Sequence, residues 1–161
     1  MMGEISFLRM EYIVAGVCNA VLNPLISWLC NREASPVNFP GVIADTLITC
    51  FFVTFLVTFF SLKSAERGVA KGYDFLRWKD RAFFRLNHPY GTAWIIYGVS
   101  IFILVCFELI CFSYRKEYSF ACFFMFKTVY PALLGAFVAR NVIIDRAIGL
   151  QLKKSESTHL Q

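Results

Sequence analysis

The chain has 161 residues, 58% of them hydrophobic, and a net charge of +5. A soluble domain is nearer half apolar; here the excess falls in four long runs parted by charged segments, the pattern of a polytopic membrane protein. Four runs leave no room for a separate soluble domain, and they assign the basic residues to the flanks of spans instead of to nucleic acid.

The first run covers 12–30. Glu4, Arg9 and Glu11 precede it without a basic n-region, and no small-x-small cleavage site follows, so it reads as a retained span and not a signal peptide. Asn19, Asn23 and Ser27 are spaced by four and share one helical face. The second run covers 41–62. Asp45 and Thr49 share a face near its start, while Thr54 and Thr58 make a deeper polar stripe on another side. The third run, 92–114, holds Glu108, and the fourth, 118–144, holds Lys127 inside "FFMFKTVYP". Pro24 and Pro131 interrupt the first and fourth helices and free backbone carbonyls. Each run is near or above the ~20 residues a helix needs to cross hydrocarbon. None alternates polar and apolar as a barrel strand does. The expected fold is all-α: one domain over 1–161, a four-helix transmembrane bundle made of two antiparallel hairpins.

The segment 63–91 carries Lys63, Arg67, Lys71, Arg77, Lys79, Arg81 and Arg85. The other two connections carry Arg32 in one and Arg115 with Lys116 in the other. This asymmetry puts 63–91 and both termini in the cytoplasm. Within 63–91, Phe75, Trp78, Ala82 and Leu86 fit a helical stripe between basic residues. That pattern suits an interfacial helix whose Phe75, Arg77, Trp78, Lys79, Arg81 and Arg85 meet the lipid bilayer and its anionic headgroups. The plainer reading is an anchor that satisfies the charge rule. The polar tail 151–161 reads as mobile.

Lys127 lies ~12 Å below the start of its run, and Glu108 ~9 Å below the facing end of the third, at 1.5 Å per residue. A charge inside hydrocarbon costs ~2.5–3.5 kcal/mol on insertion scales, and pairing lowers that. A Glu108–Lys127 ion pair is therefore expected, with snorkelling of Lys127 as its rival. Asn19, Asn23, Asp45, Thr49, Glu108 and Lys127 together form a candidate polar cluster in the outer half of the bundle. They either line a cavity for an ion or small solute or serve as interhelical bonds. Asp45 favours the cavity, because one lysine cannot neutralise two acids unless it is shared. Further along the fourth run, Ala132, Gly135, Ala136 and Ala139 make small-xxx-small pairs that permit close helix approach, within the chain or between copies.

The six cysteines form no C-x-x-C pair. Cys111 and Cys122 flank one short loop and can be bridged in an oxidising compartment. No histidine lies in a run, no spacing suits a metal, and no nucleophile elbow, phosphate loop or dinucleotide fingerprint occurs. The sequence thus indicates no catalytic residue, metal or cofactor.

From Asn23 to Phe60 the chain resembles small bacterial four-span integral membrane proteins of permease-like description. The matching residues are Asn23, Ile26, Trp28, Gly41 and Asp45, in an N-x-x-I-x-W run followed by a G-x-x-x-D entry into the next span. The resemblance covers under a third of the chain and implies a multi-pass protein of the bacterial inner membrane, with no activity attached. Three functions stand in order: a non-catalytic membrane component packing against itself or a partner, a small carrier or channel, and a membrane-embedded enzyme on a lipophilic substrate.

Overall fold

The computed structural model describes residues 2–31, 37–81, 88–114 and 117–159. Four helices dominate: α1 Met2–Asn31, α2 Phe39–Ala70, α3 Pro89–Tyr114 and α4 Phe120–His159. Each is long and apolar enough to cross a membrane. Their outward faces stay apolar, with Phe102 70% and Met125 68% exposed. At one end of the bundle the strands β1 Val37–Asn38 and β2 Glu117–Tyr118 pair antiparallel and tie the α1–α2 and α3–α4 connections together. The opposite end holds the start of α1, the end of α4 and a short 3₁₀ helix, Leu76–Arg81.

Local chemistry sets several boundaries. α3 begins on Pro89, whose missing N–H costs nothing in a first turn. Ser119 caps α4 by accepting the Cys122 N–H at 3.3 Å. α2 stops in a Schellman motif: Gly72, at φ +78°, donates to Val69 O, and Tyr73 donates to Gly68 O. Pro24 and Pro131 lie inside α1 and α4, and both helices continue through them.

α4 is the hub. It packs most extensively against α1, then α2, and less against α3, while α1 and α2 scarcely meet. The sequential hairpins expected above are therefore not the main packing units. The small residues explain this: a Cβ on Gly16 would sit 3.2 Å from Ala132 O and 3.4 Å from the Ala136 Cβ, so α1 and α4 approach almost backbone to backbone. Ala139 is buried in the central core with Val53, Ile96, Leu134 and Val138. These small residues are thus used inside one copy of the chain.

The helices run well past the expected spans at the end away from the strand pair, and there they build a second core. Phe7 and Leu8 of α1, Ala65 of α2, and Ile143, Ile144, Ala147 and Ile148 of α4 close around Phe75. Phe75 is fully buried, so it belongs to this core and not to a lipid-facing stripe. Trp78 is half-buried beside it and Arg77 is exposed; the side chains of Lys79 and Arg81, and all of Ala82, Phe83, Arg85 and Leu86, lie outside the described residues. Arg77 donates to Asp74 at 3.1 Å, and the Leu76 N–H donates to the same carboxylate; the guanidinium chiefly holds the Asp74 carboxyl below its ordinary value.

Residues 151–159, expected as a polar tail, continue α4. The reason is Gln151, whose amide donates to Tyr73 O at 2.7 Å while its carbonyl oxygen accepts the Phe75 N–H at 2.9 Å. Glu4 accepts the Asp74 N–H, Thr92 donates to Asp145, and Arg146 pairs with Glu66 at 2.8 Å, so all four helices are cross-tied here. Phe75→Ala should cost about 3–5 kcal/mol by emptying this core, read as a lowered unfolding midpoint in detergent. A loss near zero would show that the cap does not contribute to global stability.

Candidate functional site

The site sits in the half of the bundle nearer the strand pair. Asp45, Thr46, Thr49 and Cys50 share one face of α2 by the i, i+1, i+4, i+5 rule. Glu108 faces them from α3, and Lys127 and Tyr130 from α4.

Lys127 is 1% exposed. Its ammonium forms an ion pair with Asp45 and donates to the Thr49 hydroxyl, with the Tyr130 hydroxyl at 3.4 Å. Asp45 keeps 31% of its side chain exposed, so the pair opens on that side only. Glu108, 2% exposed, accepts a hydrogen bond from Thr46 Oγ1 at 2.5 Å. Its other oxygen, Oε2, is buried with no hydrogen-bond partner among the described residues.

The Glu108–Lys127 ion pair expected from depth is not the one formed. Depth is right, since both groups reach the same layer of α2, but α4 packs more closely on α2 than on α3, and the ammonium meets Asp45 first. Asp45, Thr49, Glu108 and Lys127 thus come together. Asn19 and Asn23 do not join them: Asn19 donates to Ala15 O at 2.7 Å and Asn23 to the backbone and side-chain oxygens of Asn19, all along α1. Asn19 lies over Gly135, where it contributes to the α1–α4 contact. Thr46, Cys50 and Tyr130 complete the centre without a sequence signal of their own. Each lies one or three residues from Asp45, Thr49 or Lys127, and that spacing is the signal that finds them.

Beside Glu108 lies a cleft of about 200 Å³, lined by Val42, Phe107, Phe123 and Phe126 with Cys111 and Cys122. Cys111 and Cys122 are free thiols here. No group of three or more His, Cys, Asp or Glu residues comes together to hold a metal among the described residues.

Charge counting defines what the site can do. Two carboxyls share one ammonium, and that ammonium is committed to Asp45. An ionised Glu108 with one hydroxyl donor is poorly compensated in an apolar interior. The natural completion is a proton on Glu108 or a small cation beside it. No family model, curated protein or solved structure matches this chain.

Proposed function

We propose that this is a multi-pass membrane protein, with both termini on the cytoplasmic side, that moves a proton or small cation through its Asp45–Lys127–Glu108 centre. The observation that carries the reading is the charge imbalance: a buried acid with a spare oxygen, next to a cleft and to an ion pair that already uses the ammonium. Ionisable groups inside a span default to a transport or relay role. The apolar outer faces support insertion. Orientation rests on Lys and Arg: Arg9, Lys63, Arg67, Lys71, Lys153 and Lys154 gather at the end with the termini, which suits anionic headgroups on that face. The resemblance of Asn23–Phe60 adds the bacterial inner membrane as the location.

A non-catalytic component, packed against itself or a partner, is the second reading. It is favoured by the complete burial of Lys127 and by its two partners on α2, as a staple would have. No observation favours an enzyme. The two readings separate in proteoliposomes loaded with a pH-sensitive dye. Carrier activity predicts proton or cation flux above that of empty liposomes, lost in Glu108→Gln, which keeps the bond to Thr46. Flux no greater than that of empty liposomes, with or without a sodium or potassium gradient, leaves the staple.

A further inference from the structure

A second cleft, of about 170 Å³, lies between α2 and α3 in the half of the bundle away from Asp45. Phe51, Phe55 and Phe59 of α2 line one side, and Tyr90, Trp94 and Tyr97 of α3 the other. Phe51 and Phe55 stack with their planes 6° apart, and Tyr97 meets Phe51 and Trp94 edge-on. An aromatic belt explains Tyr90 and Trp94. It does not explain Thr54 and Thr58, which line the same cleft. They are 6% and 3% exposed, and both hydroxyls lack a hydrogen-bond partner among the described residues.

Two buried donors without acceptors, among aromatic faces, describe a ligand. A buried hydroxyl left unmade is costly, so the occupant supplies acceptors, which an acyl chain cannot. None of the lining residues is charged, so the occupant is neutral. The volume matches one small ring, since a cavity of ~150 Å³ holds benzene. Thr54 and Thr58 are one turn apart, ~6 Å along the axis, close to the separation of oxygens on opposite edges of a six-membered ring. The flanking aromatic rings give such a ring its stacking and edge contacts. We infer that the α2–α3 cleft binds a neutral planar ring with opposed oxygen acceptors, the chemistry of a lipid quinone headgroup. The inference does not depend on the proton or cation reading, because it uses none of the Asp45–Lys127–Glu108 groups.

The test uses the full chain in neutral phosphatidylcholine nanodiscs with duroquinone as probe. Of the three tryptophans, Trp28 and Trp78 are replaced by Phe so that Trp94 reports alone. Saturable quenching of Trp94 is expected. Thr54→Val with Thr58→Val preserves volume and should weaken binding about tenfold or more for two lost hydrogen bonds; the Ser/Ser variant should retain it. Durene, the same methylated ring without oxygens, should fail to compete. Quenching that rises linearly without saturation, or is unchanged in the Val/Val variant, means the ring only partitions into lipid and overturns the proposal. An azidoquinone photolabel on the unmodified chain gives the same decision if the Trp variants fail to fold. Label on the cleft residues supports the site, and label spread over the lipid-facing surface refutes it.

Discussion

Asp45→Ala should destabilise the chain by about 3–5 kcal/mol, the usual cost of breaking a buried ion pair from one side. The cause is Lys127, which is 1% exposed and would be left with only hydroxyl partners. Lys127→Met should cost less, because Asp45 is 31% exposed and can turn outward. Combining Asp45→Ala with Lys127→Met should recover most of the loss, since both charges leave together. Glu108→Gln should cost little, as its amide oxygen still accepts from Thr46. Unfolding of these variants in detergent, read as double-mutant cycles, should give strong coupling for Asp45 with Lys127 and weak coupling for Glu108 with Lys127. The opposite order would restore the pairing expected from sequence depth and remove the basis for a surplus acid.

The second large effect is at the α1–α4 contact. A Cβ on Gly135 would lie 2.5 Å from Asn19 Nδ2 and 3.2 Å from Ala15 O. Gly135→Ala should therefore cost about 1–3 kcal/mol as an overpacking change, and Gly135→Leu more. Since the Asn19 side chain is the nearer obstacle, Asn19→Ala should relieve much of the Gly135→Ala loss, whereas Ala15 O cannot move without shifting α1. Should Gly135→Leu instead leave the unfolding of the single chain unchanged and alter only its association state, Gly135 would belong to a contact between copies.

Much of this architecture is visible in the residues. Runs of apolar sequence place the four helices, and the level of Asp45, Glu108 and Lys127 follows from counting residues along each one. Counting fixes depth but not direction around the axis. Whether Lys127 turns to Asp45 or Glu108 depends on how tightly α4 lies on α2, and that follows from Gly16, Ala132, Gly135 and Ala136 drawing α1 onto another side of α4. The same limit applies to Asn19 and Asn23, which do share a face but satisfy each other along α1. Phe75 departs from the expected lipid-facing stripe for a different reason. Amphipathic Phe75 and Trp78 look interfacial when the spans are taken to end at Leu62 and Ile144. Phe7 and Leu8 precede the first expected span, Ala65, Ala147 and Ile148 follow the second and fourth, and with Ile143 and Ile144 at the end of the fourth they bury Phe75. Gln151 reads as tail until its bonds to Tyr73 and Phe75 are seen, because the spacing of residues so far apart in sequence carries no signal.

The most direct test of the surplus acid is infrared difference spectroscopy of the chain in lipid, recorded across pH. The centre requires a carboxyl band that interconverts between its protonated and ionised forms. That band should vanish in Glu108→Gln and survive in Asp45→Asn. A Glu108 signal that responds neither to pH nor to added sodium or potassium, or a titrating band that vanishes with Asp45 instead, would contradict an exchanging Glu108 and leave the Asp45–Lys127 pair as a staple.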